Sequence, residues 1–294
     1  MLCAKPISSV PTRVDSLLNV YDQEIEHAWS YMEQRNNYID SVKANSDMTR
    51  AESQIAIAKL YIPYQCDAAL VYLSRATNAS DYTYATEAKL YLIYLLASIG
   101  YYNEGFLLSH SLNPLPATSL SLYHETLSHL HGEAFVYGKM DTLKDYHHKQ
   151  AALHKDSLFM NIRQKHLSPT YISKYGWKEN EWLELQKLQL IQARNQQDYQ
   201  RAIDISNQVF EYVAPNTHTY AIFAYETACI YSSMQDSLQH LEWLLRSSIA
   251  DIRGGVWDNA STWTLDSIMF DDGQLKRAMK YIEYSQKNSR FFNA

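Results

Sequence analysis

The chain has 294 residues and a formal net charge of −6, and its 8 Gly and 7 Pro are less than half the share of an average protein. So few turn formers exclude an all-β sandwich or barrel, which needs a turn roughly every 8–12 residues. They also exclude a doubly wound α/β enzyme, which needs glycines at its phosphate-binding turns. The acidic balance and the lack of any Lys/Arg-rich run leave no surface for nucleic acid. The longest apolar stretch, Leu90–Tyr102, has 13 residues, short of the about 20 that a membrane span requires.

Residues 1–12 read as a leader remnant or a disordered start. Met1-Leu2-Cys3-Ala4 has the look of a clipped signal peptide, but a basic n-region and a full apolar core are missing. Cys3, Cys66 and Cys229 are too few and too scattered for a disulfide scaffold or a zinc site. Residues 13–47 predict one long helix. Leu17, Leu18, Tyr21, Ile25, Ala28 and Met32 recur mainly at three- and four-residue steps and share a face, and Asp15 is placed to cap the start. Such a helix is either a coiled-coil dimerisation arm or a first helix packed on the rest of the domain.

From there the chain repeats. Glu87–Leu112 resembles a tetratricopeptide (TPR) helix pair, with Gly100 and Tyr102 at the turn and Gly105 at the small position of the second helix. A Gly there lets two helices approach closely. Gly273 with Ala278 repeats the pattern, and Gln197, Tyr199 and Ala202 give a further copy. Gln235 with His240 is looser, and Ala69 and Asp145 fit by position alone. The small positions 69, 105, 145, 202, 240 and 278 are spaced by 36, 40, 57, 38 and 38 residues, a period that marks a helical solenoid. The long step holds an insertion near 161–180 with Pro169, Gly176 and Trp177. The expected fold is all-α: a right-handed α-solenoid of TPR-like antiparallel helix pairs over residues 13–294, led by a long N-terminal helix. A generic antiparallel bundle is the alternative.

Six Asp-Ser or Asp-Thr steps followed by an apolar residue, among them Asp15-Ser16-Leu17, Asp236-Ser237-Leu238 and Asp266-Ser267-Ile268, read first as helix caps or exposed helix residues. They also resemble O-glycosylation acceptors of exported bacterial proteins.

Motifs of catalysis are missing. His124-Glu125 begins like HExxH, but the residue four after His124 is Ser128, and His129 is one step too far to share the face. His147 and His154 are seven apart and share a helix face, without a carboxylate or thiolate cluster beside them. Gly254-Gly255 lacks any phosphate-loop context, and the carboxylates are too scattered to nominate a general acid and base. No enzyme activity, cofactor or metal is expected.

The repeat itself offers a surface. In a TPR-like array the first helix of each pair lines a concave groove, which makes Glu87, Tyr94, Lys187, Arg194, Asn195, Tyr225 and Trp263 the candidate ligand- or partner-binding residues. Aromatic stacking and pairing with Lys187 or Arg194 suit a peptide, a glycan fragment or a partner protein.

The C-terminal segment, with Ala250-Asp251-Ile252-Arg253, Phe270-x-x-Gly273, Arg277-Ala278, Tyr281-Ile282 and Asn293-Ala294, resembles a family of membrane-anchored regulators from Gram-negative bacteria. The stretch from Val14 to Lys43 is similar to its N-terminal helix. The resemblance implies a TPR-like extracytoplasmic region behind a signal peptide. A transmembrane helix beyond residue 294, a coiled segment and often a DNA-binding helix-turn-helix would follow. It therefore implies a periplasmic sensor domain in signal transduction and transcriptional regulation; the coiled-coil reading of the first helix adds a homodimer to the expected partners. A cytoplasmic or periplasmic scaffold without signalling, and an enzyme with a site in the insertion, are the alternatives.

Overall fold

The computed structural model describes residues 13–112, 114–139, 141–165, 167, 181–256 and 260–292. Within them the chain forms thirteen α-helices. The leader at 1–12 and most of the expected insertion, from 168 to 180, lie outside the described residues.

Helix α1 (Arg13–Ala44) stands alone, and six antiparallel pairs follow. These are α2 (Ala51–Tyr61) with α3 (Cys66–Ala76), α4 (Tyr82–Ser98) with α5 (Tyr102–His110), and α6 (Leu120–Tyr137) with α7 (Lys144–Ile162). Then come α8 (Glu181–Asn195) with α9 (Tyr199–Phe210), α10 (His218–Ser233) with α11 (Ser237–Arg253), and α12 (Ala260–Asp271) with α13 (Leu275–Phe292). Short 3-10 turns, Ala117–Ser119 and Asp141–Leu143, precede α6 and α7. The α-solenoid expected from the repeat is thus the fold.

Four pairs turn by one device. Gly100, Gln197, Gln235 and Gly273 all have positive φ, between 60° and 85°. The amide after each reaches back to the carbonyl five residues earlier: Tyr101 to Leu96, Asp198 to Ala193, Asp236 to Tyr231 and Gln274 to Met269, at 2.8–3.0 Å. This Schellman arrangement satisfies carbonyls that the ending helix leaves open. At two of these turns the next residue then caps the following helix: the Asp198 carboxylate accepts from the Arg201 amide and Asp236 from that of Gln239. Of the Asp-Ser steps, Asp236 is therefore a cap, and Asp266 is buried within α12.

Most small positions pack as the repeat requires. Ala69, Ala202 and Ala278 are buried, and Gly105 lies so close to α6 that a Cβ there would meet Leu130 Cδ1 at 3.0 Å. Asp145 does not belong to the series. It is exposed in the first turn of α7, and the close approach falls instead at Ala151, whose carbonyl accepts from Ser128 Oγ at 3.2 Å. Counted through Ala151, the steps from Gly105 and to Ala202 are 46 and 51 residues. His240 is half-buried, its Nδ1 donating to the Ala228 carbonyl at 2.9 Å.

Helix α1 ends at Ala44, three residues before the expected limit, and is packed along the domain rather than projecting as an arm. It joins the two ends of the array. Its apolar face, with Leu18, Tyr21, Ala28, Met32 and Ile39, enters one core shared with α2–α4 and α10–α13. Arg35 is 1% exposed and donates to the carbonyl of Gly254 at 3.0 Å and of Leu60 at 2.6 Å, so a single guanidinium bridges α2 and the end of α11. Towards the C-terminal pairs, Glu24 accepts from Arg253, Asp22 from Arg277 and Glu26 from Lys280. Burial pushes the Glu24 carboxyl up, but hydrogen bonds from Arg253 and Tyr31 outweigh it and hold it below the usual range. Beside them, Tyr21 donates to or accepts from Thr262 at 3.1 Å and meets Tyr281 edge-on. Cys66 and Cys229 are free thiols, and burial pushes that of Cys66 up to about 12. Among the described residues no helix is long and apolar enough to cross a membrane.

Candidate functional site

The first helices of successive pairs line a half-open cavity of about 320 Å³. Helix α4 contributes Thr83, Glu87 and Tyr91; α6 and the turn before it contribute Thr118, Ser119, Ser121, Leu122 and Glu125. Helix α8 adds Glu181, Leu183, Glu184 and Lys187, and α10 adds Thr219, Ile222 and Phe223. One second helix also reaches it, α7, through Leu158 and Ile162. The lining mixes apolar side chains with hydroxyls and carboxylates. A second hollow of about 280 Å³ adjoins it, sharing Lys187 and Ile222, and carries Tyr94, Tyr225, Glu226 and His218.

Charges in this lining are paired, Lys187 with Glu184 within α8 and others from one helix to the next. Lys59 on α2 pairs with Glu87 at 3.5 Å, Lys187 with Glu184 at 3.1 Å, and Lys165 with Glu181 at 2.5 Å. Arg194 on α8 reaches Glu226 on α10 at 2.7 Å, with both side chains mostly buried. His218 at the start of α10 binds Asp251 of α11 at 2.8 Å. Half-buried pairs of this kind keep their geometry better than surface pairs, because water screens them less.

The sequence-derived candidates divide into three groups. Glu87 and Lys187 line the larger cavity, and Lys187, Tyr94 and Tyr225 line the adjoining hollow. Tyr94 spends one ring face on His129 of α6, with centroids 3.9 Å apart. Arg194 is engaged with Glu226, which lines the hollow, and does not line it itself. Asn195 ends α8 as an exposed residue, and Trp263 is 61% exposed on α12; neither lines either cavity.

Glu125, Ser121, Leu158 and Ile162 line the cavity and are not among the sequence-derived candidates. Helices α6 and α7 carry the weakest copy of the repeat, so no offset could be transferred to them. In the sequence Glu125 stands out only through its place in the failed zinc motif. The histidines nearby form a ladder instead: His124 faces His154 and His131 faces His147 across α6 and α7, with Nδ1 atoms 3.0 and 2.9 Å apart. These are two separate couples. Among the described residues no three His, Cys, Asp or Glu side chains converge as a metal-binding set.

An all-helical solenoid of paired repeats, clasped end to end by its first helix and hollow on its first-helix side, is a TPR-type binding domain. The family model of the SusR N-terminal TPR domain matches residues 25–294, and the chain belongs to that family. No curated protein and no solved structure gives a match.

Proposed function

We propose that this chain is the ligand-sensing domain of a membrane-anchored regulator, held on the periplasmic side, and that it acts without catalysis. The observation that carries this reading is the interior cavity. Its volume of about 320 Å³ falls in the range of small-molecule sites, too small for a folded partner. Its lining by Thr83, Ser119, Ser121, Glu87 and Glu125 suits a small polar ligand rich in hydrogen-bond donors, such as a short peptide or a glycan fragment. The cavity is walled by helices of four successive pairs, so a ligand seated there braces all four. In a solenoid each repeat contacts its neighbours, and small rotations add along the array. The clasp of α1 on α11–α13 carries such a rotation back to the N-terminal end.

Isothermal titration of the chain with short peptides and oligosaccharides tests this reading. A ligand is expected whose Kd rises at least tenfold in Glu87→Gln and Lys187→Met, while Asn195→Ala leaves it unchanged. Equal loss in all three variants, or no binder in either series, overturns it.

A second reading, a protein-docking scaffold, draws on Trp263 and Phe270. They lie seven residues apart on α12, on one face, and are 61% and 62% exposed. Trp263→Ala would then abolish partner capture and leave the cavity's ligand binding intact.

A further inference from the structure

Helices α6 and α7 meet through four imidazoles. His124 and His131 are seven residues apart on α6, as are His147 and His154 on α7, so each couple lies on one face. Antiparallel packing sets His124 against His154 and His131 against His147, Nδ1 to Nδ1, at 3.0 and 2.9 Å. The rings of His131 and His154 run nearly parallel between the two rungs, with centroids 5.9 Å apart. Phe106 of α5 covers His131 and His147, Tyr146 packs on the same two rings, and Tyr123 covers the other rung.

A nitrogen–nitrogen contact of this length is a hydrogen bond only when one Nδ1 carries a proton and the other offers a lone pair. One charged ring per rung preserves that bond. A second charge puts a hydrogen on both Nδ1 atoms and sets two cations about 3 Å apart in a half-buried site. We infer that this ladder is an acid-operated latch: charging the imidazoles loosens α6 from α7 and opens the wall of the interior cavity. The consequence for the cavity rests on the ligand-binding reading above; the loosening of the pair does not.

The surroundings supply no relief. Burial holds all four rings below the ordinary imidazole range, and His131, which also feels His147 and His154, falls to about 4. Among the described residues no carboxylate hydrogen-bonds to any of the four, whose partners are one another. On α7, Asp145, Lys149, Lys155 and Asp156 are exposed, and Lys144 pairs with Asp141. On α6, Glu125 turns into the cavity, and Glu133 lies beside His129 and the ring of Tyr102 from α5. From α4 comes Tyr94, stacked on His129, and from α8 come Glu181, Glu184 and Lys187 across the cavity.

The direction follows from linkage. A released imidazole binds its proton near 6.5 and a packed one lower, so the stability of the pair is whole above about pH 6.5 and is lost as pH falls towards 4. Glu133 works the other way: burial raises its carboxyl to about 6, so it favours the packed state in acid. At pH 5, His131 alone multiplies the opening constant by about 30, and Glu133 returns about eightfold of that. The other three rings add to the first term.

The ladder reaches the cavity directly. His124 adjoins Glu125, and His154 lies one turn before Leu158; both neighbours line it.

Hydrogen exchange of the whole chain at pH 7.5 and 5.0, corrected for intrinsic amide rates, tests the latch. The opening constant of α6–α7 is expected to rise at least fivefold more than that of α2–α3. Glu133→Gln is expected to enlarge the excess several-fold, and the double variant His131→Leu, His147→Leu to reduce it below twofold. An equal response of the two pairs in the wild type, or a full excess in the double variant, overturns the proposal. Should the double variant not fold, the imidazole proton resonances of the wild type decide. Ladder rings titrating near 6.5 overturn the latch, and rings titrating well below it uphold it. Ligand titration at the same two pH values separates the readings. Loosening without loss of affinity sinks the cavity's role and leaves the latch standing.

Discussion

Between α8 and α9, α10 and α11, and α12 and α13 the chain reverses through one left-handed residue, Gln197, Gln235 or Gly273, spaced 38 residues apart. Between α6 and α7 it passes Gly138 and a 3-10 turn at Asp141–Leu143 instead. The contrast extends to what each region packs with. The regular pairs bury Leu190, Ala202, Val209, Leu244, Leu245 and Met269. The irregular pair sets four imidazoles against each other where the others set aliphatic side chains. Apolar contacts are indifferent to pH, so the regular pairs, despite the His218–Asp251 ion pair across α10 and α11, act mainly as frame and the α6–α7 pair as the responsive element. At the clasp the sign is even reversed. Burial raises Asp266 to about 7, so this carboxyl holds its proton in the folded chain and favours folding as pH falls below 7.

The largest expected effect removes the tie that closes the frame. Arg35→Ala strips donors from the Gly254 and Leu60 carbonyls and empties the space of a fully buried side chain. A cost of about 3–5 kcal/mol is expected, from unsatisfied buried carbonyls and lost packing together. Urea unfolding measures it. The acid response of α6–α7 should persist in this variant, since the carbonyls that Arg35 ties belong to α2 and the end of α11. If the response disappears, frame and latch are one cooperative unit and the division drawn above is wrong.

A smaller effect separates backbone strain from crowding within the frame. Gly255 and Gly273 both have positive φ, +62° and +73°. A Cβ at Gly255 would lie 3.0 Å from the Tyr31 carbonyl oxygen and 3.2 Å from Arg35 Cβ, whereas at Gly273 nothing lies within 4 Å. Gly273→Ala should therefore cost about 1 kcal/mol, the left-handed conformation alone. Gly255→Ala adds overpacking against α1 and should cost about 2–4 kcal/mol. Equal losses in thermal unfolding would mean that α1 is not seated against this turn.

How far each region could be read from residues follows the same division. The turn residues Gly100, Gln197, Gln235 and Gly273 stand where the repeat puts them, because a Schellman turn has a local signature: a left-handed residue after an amphipathic run. Glu87, Lys187, Tyr94 and Tyr225 could be placed on inward helices by transferring offsets between good copies. The α6–α7 wall could not. Its residues come together through contacts between helices with no shared turn pattern, and Asp145 was matched only by spacing. The clasp was illegible for a different reason. Asp22, Glu24 and Glu26 meet Arg277, Arg253 and Lys280 more than 220 residues away. Complementary charges on two exposed-looking helix faces carry no sign of which face each will find.

The smallest effect tests whether the turns are interchangeable. Gln197 and Gln235 hold φ of 60°, a conformation that costs an L-residue about 1–2 kcal/mol and glycine nothing steric. Both side chains are exposed, so replacement by Gly loses no packing. Glycine gives back part of the gain through its larger unfolded-state entropy, about 0.5–1 kcal/mol. Gln197→Gly and Gln235→Gly should each stabilise the chain by about 0.5–1 kcal/mol, and the double variant by their sum, because the sites lie on successive pairs without a shared partner. Differential scanning calorimetry checks both claims. Additive gains make these turns equivalent copies of the Gly273 turn. A loss at either site would show that its glutamine is held by something other than the turn, and would remove that pair from the regular half of the molecule.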